Sequence, residues 1–323
     1  REAARRLQCQ NRLHNLGIAM IAMTESQNRF PSSGNFGDKE YHGWPVDLLG
    51  WLDRAALEQR WDFDRGFDEA PNRALGNINI EVFTCPNDYT VVSGYGNLSY
   101  AVNGGIGWTE PIECPVLVRV AGPTPLGHTP IDLNGNGITC AHDLSADGTP
   151  SDLSLMFRMG LFFPENWPKG SGTVRHHTIS TVVDGLSNTI MIAENLRSGY
   201  NPLHTGESGW SSPYSWRNSF FLSGSICDGL ECSAGNVNYA LANSHSHPLA
   251  QFESINSGHS QAEGQAPWPT SGHMGGINVL FADGRVQFLN ESVQGRVYAA
   301  LLSPQGTQLT GPLQQPLVSD SDF

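Results

Sequence analysis

Long apolar runs are missing from this chain: no window approaches the 18 or so uninterrupted apolar residues that a membrane-spanning helix requires. Basic charge is also scarce, with 18 Lys and Arg against 31 Asp and Glu and a formal net charge of -13. Phosphate binding needs clustered Lys and Arg, so this balance argues against nucleic acid as a partner. The six cysteines, Cys9, Cys85, Cys114, Cys140, Cys227 and Cys232, contain no CxxC pair and no His-spaced zinc pattern. Catalytic signatures are missing too: no GxSxG elbow, no HExxH, no P-loop and no GxGxxG after a strand. There is no internal repeat and no low-complexity tract. An enzyme is therefore not the expectation.

What is present suffices for a buried core, since 39% of 323 residues are hydrophobic. Thirty-six Gly and 20 Pro, with only 15% charged residues, point to turns and long ordered loops rather than a helical bundle. Leu13, Leu16, Met20 and Met23 recur at three and four residues, so 1–28 reads as an amphipathic helix that stops before Pro31. A second helix is expected over 46–60, a strand over 78–84 and another over 189–193. Between them lie a Gly- and Pro-rich insertion, about 104–172, and a loop-rich region, about 197–270. The organisation predicted is a helix over 1–30 and a head over 31–323.

Asp283-Gly284 fits a two-residue type I′ hairpin turn, which needs positive φ at both positions. That turn would pair Phe281 with Val286, Leu280 with Gln287 and Val279 with Phe288, placing Ile277, Val279, Phe281, Val286 and Phe288 on one buried face. His273 stands ten residues before Asp283, and Gly275-Gly276 turn the chain between them.

That spacing, a His, nine residues and Asp-Gly, resembles the C-terminal signature of a family of prepilin-type proteins abundant in planctomycetes, the family called domain of unknown function 1559. Further stretches agree with the family in order: REAARRLQCQNRLHNLGIAMIAMTESQNRFPSSGN at the start, WPVDLLGWLDRAALEQRWDFD at 44–64, VFTCPND at 82–88, LSYAVNGG at 98–105 and VVDGLSNTIMIAEN at 182–195. The resemblance implies an α+β fold like that of pilins and pseudopilins, a long N-terminal helix packed on an antiparallel sheet, here with large loop insertions. It also implies an apolar stem preceded by a peptidase site. Neither that stem nor a starting Met is in the sequence given, so a processed, truncated or partly observed form of a longer precursor is expected. Any membrane contact would come only through that missing stem.

Residues 132–143, DLNGNGITCAHD, match a calcium loop without reference to the family. Such a loop puts oxygen ligands at positions one, three, five, seven through a carbonyl, and twelve, with Gly at six. Those positions hold Asp132, Asn134, Asn136, Ile138 and Asp143, with Gly137 at six. Asp at twelve resembles dockerin loops, in which Ile138 would be the inward apolar residue. The alternative is an Asx-rich surface turn that binds nothing. Asp143, Ser145, Asp147, Gly148 and Asp152 begin a second copy, disturbed by Thr149-Pro150.

If the chain is exported, its cysteines can oxidise. Cys227 and Cys232 flank a short loop with an Asp-Gly turn, and Cys9 with Cys85 and Cys114 with Cys140 would complete a set; alternatively some are free, buried, small hydrophobes. His176, His177, His245, His247 and His259 match no metal spacing, and His273 is expected to hydrogen-bond backbone near the hairpin turn or the Ser-Asn-Thr segment. Arg1, Arg5, Arg6 and Arg12 make either a solvated helix face or a contact with lipid headgroups or an acidic neighbour. Trp108, Trp167, Trp210, Trp216 and Trp268 either stack on sugars or fill the core.

The function expected is an exported, non-catalytic, pilin-like subunit of a cell-surface filament or layer. It would self-assemble into a homo-polymer through the N-terminal helix, with calcium stabilising the head. The alternative is a surface glycan-binding or adhesin module that uses loop aromatics and calcium.

Overall fold

The computed structural model describes residues 2–39, 41–106, 116–121, 124–138, 150–166, 175–196, 209–214, 218–222, 224–227, 232–260 and 266–323. The fold is α+β, as expected. Helix α1 (Glu2–Gln27) is 26 residues long, about 39 Å at 1.5 Å per residue. Strands β1 (Gly34–Phe36) and β2 (Tyr41–Gly43) form a small hairpin. The main sheet takes β3 (Tyr100–Asn103), β6 (Ile190–Glu194), β7 (Ser219–Phe220), β9 (Gly276–Phe281) and β10 (Val286–Asn290), in the order β10-β9-β6-β3-β7. Its neighbours are antiparallel except β3 and β7, which run parallel, so the sheet is mixed rather than purely antiparallel. Strands β4 (Val116–Ala121), β5 (Thr124–Asp132) and β8 (Cys232–Ser233) form a second sheet inside the expected loop regions.

Both faces of the main sheet are buried. Alternation along a strand sends Ile277, Val279 and Phe281 into one core, while Leu280 and Ala282 enter the other. The second core receives Cys9, Leu13, Leu16, Met20 and Met23 of α1, the stripe expected from spacing. Burying each large side chain of that stripe is worth about 1.5–3 kcal/mol. Gly17 sits where α1 crosses β9: a Cβ there would lie 2.8 Å from Leu280 Cδ1, so the missing side chain permits the close approach. The first core is closed by a helix the periodicity reading missed, α2 (Gly295–Leu302), which buries Tyr298, Ala299, Leu301 and Leu302. Strand β6 carries a bulge between Ile190 and Ile192, and Met191 and Ile192 consequently both face the α1 side.

Three sequence expectations change. The hairpin is a three-residue loop: Gly284 has φ +89°, Asp283 does not cross into positive φ, the Gly284 N–H donates to the Phe281 carbonyl and the Phe281 N–H donates to the Arg285 carbonyl. This is the type I turn with a glycine bulge, and it slips the register by one. Leu280 faces Val286, Asn278 faces Phe288 and Ile277 faces Leu289. Phe288 leaves the core and lies under the Arg6 guanidinium, 4.7 Å from its ring centre. The expected helix over 46–60 is broken into Trp44–Asp47, Leu49–Trp51 and Ala55–Glu58, with Asp53 at φ +55°. The expected strand over 78–84 is instead a 3-10 turn at Glu81–Phe83, shaped to bring Cys85 against α1.

Candidate functional site

Segments far apart in the sequence converge at the N-terminal end of α1. Cys9 lies on the inner face of the helix and is bonded to Cys85, which follows the Glu81–Phe83 turn; their Cα atoms are 5.1 Å apart. Glu194 ends β6, and His273 precedes β9 in the bend that Gly275, φ +81°, makes possible. His273 Nδ1 donates to Glu2 Oε1 at 2.6 Å, while Nε2 lies 3.4 Å from Glu194 Oε1 and 3.5 Å from Cys85 Sγ. Glu194 is held in turn by the Asn278 backbone N–H at 2.7 Å and Asn278 Nδ2 at 3.0 Å. Asn87 Nδ2 donates to the Gly272 carbonyl at 2.6 Å and reaches Glu2 at 3.3 Å.

Cys9, Cys85 and Glu194 are fully buried or nearly so, and His273 is 3% exposed. Burial works against the imidazolium, yet hydrogen bonds and charge from Glu194 and Glu2 outweigh it and raise the His273 pKa above 6.5. His273 therefore does not bond the hairpin turn or the Ser-Asn-Thr segment, as its spacing suggested; it is the carboxylate-held link between α1 and the sheet. The slip in the hairpin register has no bearing on it. Sequence reasoning offered Cys9 with Cys85 as one possible pair and noted His273 apart from them, but it had no signal for Glu2 or Glu194.

Of the helix basics, Arg1 lies outside the described residues, and Arg5, Arg6 and Arg12 each meet a partner within the chain. Arg12 donates to the Thr84 carbonyl at 2.6 Å and pairs with Glu81, and Arg5 reaches Asn87 Oδ1 at 3.2 Å. Neither a purely solvated face nor a lipid contact is needed to account for them.

At the loop expected from its spacing to hold calcium, Asp132 ends β5 beside Ser233 of β8. Its carboxylate accepts the N–H of Asn136 at 3.1 Å and of Gly137 at 2.9 Å, while Asn136 Oδ1 accepts the Ile138 N–H at 2.8 Å. Gly135 and Gly137 take φ +74° and +81°, as the tight turn requires. Asp132 is 6% exposed and Asp152 fully buried, and Asp152 Oδ1 accepts the Asn134 N–H at 3.0 Å. Two buried carboxylates with side-chain amides make an all-oxygen donor set, which suits a hard cation such as Ca²⁺. Asp143 falls outside the described residues, as do Cys114 and Cys140. Ile138 is half exposed rather than inward, and the buried apolar anchor of the loop is Leu133.

Among the described residues, no other histidine joins a cluster of metal-ligating side chains. His176 contacts Glu165 at 3.4 Å, His177 is buried on Phe157 with ring centres 3.9 Å apart, His245 meets the Glu291 carbonyl at 3.0 Å, and His259 meets Tyr89 at 2.7 Å. Trp210 and Trp268 are core residues, at 0% and 2% exposure; Trp108, Trp167 and Trp216 lie outside the described residues.

Residues 1–296 match the model of the family described as Protein of unknown function (DUF1559). The chain belongs to that family. The DUF1559 match spans α1, the main sheet and the start of α2, so every residue of the Cys9, Cys85, Glu194 and His273 cluster lies inside it. No curated protein and no solved structure matches the chain.

Proposed function

We propose that this DUF1559 protein is an exported, pilin-like structural subunit of a cell-surface filament or layer, joined to copies of itself through α1 and without catalytic activity. The observation that carries the reading is the way α1 is mounted. Its residues 2–8 are exposed, yet the helix is riveted to the head at Glu2–His273, Cys9–Cys85 and Arg12–Thr84. A helix so fastened passes a load along its axis into the sheet. Its outer face also carries Leu7 and Ile18, 60% and 57% exposed, which are eleven residues apart and so lie on one line. Repetition of a contact that does not close into a ring makes a filament. The two described disulfides suit an oxidising compartment, and calcium at Asp132, Asn134, Asn136 and the Ile138 carbonyl would order the insertion.

Antibody against the head should label polymers on intact cells, and Leu7→Glu with Ile18→Glu should abolish them while the purified protein keeps its melting temperature. A native protein that stays monomeric at high concentration with calcium, on cells with no labelled polymer, would sink the proposal. Glycan binding by the head is the second reading, favoured by Tyr89: it is 62% exposed and stacked on His259 at a groove bounded by Gly272–Gly275 and Glu291. Equal retention of wild type and Tyr89→Ala on polysaccharide columns would remove it.

A further inference from the structure

The cluster that fastens α1 to the sheet has the composition and dimensions of a four-ligand site for a borderline-soft divalent cation. One ligand atom from each of Cys9, Cys85, Glu194 and His273 lies within 4.8 Å of all the others. Zinc bonds of about 2.0–2.3 Å to N, O and S set neighbouring ligands of a tetrahedron about 3.3–3.8 Å apart. His273 Nε2 already stands 3.4 Å from Glu194 Oε1 and 3.5 Å from Cys85 Sγ. The outer contacts are those a metal site uses. Glu2 accepts the Nδ1 proton at 2.6 Å, which turns Nε2 toward the cluster, and Asn278 holds the Glu194 carboxylate with two donors. All four ligand residues are buried. The one obstacle is the bond between the two sulfurs.

We propose that the reduced form of this protein binds one Zn²⁺ through Cys9, Cys85, His273 and Glu194, so that the joint between α1 and the sheet has two interchangeable fastenings, a metal ion and a disulfide. A dithiol reductant breaks the sulfur–sulfur bond, supplying two electrons and two protons and becoming a disulfide itself. Zn²⁺ then displaces both thiol protons to solvent and binds His273 at Nε2, any proton there also leaving to solvent, while the Nδ1 proton stays on the ring and is donated to Glu2. Oxidation by a disulfide-bearing oxidant reverses the exchange: two electrons leave the thiolates, the sulfur–sulfur bond forms and the ion departs. The helix stays attached in either redox environment. The inference does not depend on the protein forming a filament.

The experiment uses the whole chain, reduced with a phosphine and titrated with Co²⁺ as a spectroscopic stand-in for Zn²⁺. One equivalent should produce tetrahedral d–d bands and a thiolate-to-cobalt charge-transfer band, reversed by Zn²⁺, with none in the oxidised protein. The bands should vanish in Cys9→Ser with Cys85→Ser, which leaves the other four cysteines in place, and in His273→Ala. Glu2→Gln should weaken affinity about tenfold, as expected for a group that only orients the imidazole. Near-UV circular dichroism and melting follow the fold in parallel: Zn²⁺ should raise the melting temperature of the reduced wild type, or restore its near-UV signal if reduction has loosened it, and should do neither in the double serine variant. Absent bands together with an unchanged melt, or bands that survive the loss of Cys9 and Cys85, would overturn the site.

Discussion

Two histidines pull the stability of this protein in opposite directions with pH. His177 is fully buried on Phe157, and burial pushes its pKa from 6.5 down to about 4. The unfolded chain then takes up a proton that the folded one refuses, so stability is lost as pH falls below 6.5. At about 1.4 kcal/mol per unit, the full loss by pH 4 is about 3 kcal/mol. His273 has the opposite sign: its raised pKa means that its contribution is complete below 6.5 and disappears as pH rises through the folded value. Thermal melts should therefore show His177→Gln less sensitive to acid than wild type, and His273→Gln less sensitive to the step from pH 6 to 8. Parallel wild-type and variant curves in either window would refute the assignment for that residue. Residue identity alone did not separate the two; their surroundings did, an aromatic stack in one case and a pair of carboxylates in the other.

At the scale of the element, the closing hairpin depends on a local device and α1 on a long-range one. Gly284 has φ +89°, and a Cβ there would also stand 2.9 Å from Ile21 Cδ1, so Gly284→Ala should cost at least about 1 kcal/mol in denaturant unfolding. Asp283→Ala should cost less, because it removes only the bond from the Arg285 N–H at 2.9 Å. Equal effects would argue for the two-residue turn after all. For α1 the device is covalent. Cys9–Cys85 closes a separation of 76 residues, which on loop entropy is worth about 4 kcal/mol, so Cys9→Ser with Cys85→Ser should lower unfolding stability by that order. The helix itself was legible, since Leu13, Leu16, Met20 and Met23 repeat at helical spacing and are all buried. The element over 46–60 misled because its apolar residues also satisfy helical spacing, while the packing of Leu48, Leu49 and Leu57 into one core is reached by three short turns instead.

Across the whole molecule, the sheet is a partition between two cores, and the loop at 132–138, proposed to hold calcium, hangs from the second sheet rather than from this partition. Chelation should therefore lower the melting temperature through the insertion, leaving the α1 joint in place. A ligand that binds only the folded state contributes about 2.7 kcal/mol at a hundredfold excess over its Kd. Restored calcium should recover that amount in wild type and in the double serine variant alike, and Asp132→Ala should abolish the recovery. Melts identical with chelator and with calcium would leave Asp132 and Asp152 as the anchors of an ordinary turn.

By itself the sequence determined the amphipathic helix, the strand after Asn188 and the hairpin's place in the chain, suggested the Cys227–Cys232 pairing, and through its motifs in order pointed to DUF1559. The elements and the short disulfide rest on periodicity, turn chemistry and near-neighbour spacing, which are local and survive in one dimension, whereas Cys9–Cys85 spans 76 residues and stayed one pairing among several until the fold set the two Cα atoms 5.1 Å apart. Only the tertiary structure decided the hairpin register, because either turn suits Asp-Gly and the choice lies with burial on both faces of the sheet. It alone brought Asp152 beside Asn134. It also joined Glu2 to His273 across 271 residues, since a carboxylate finds its partner by distance in space, and no spacing along the chain records that.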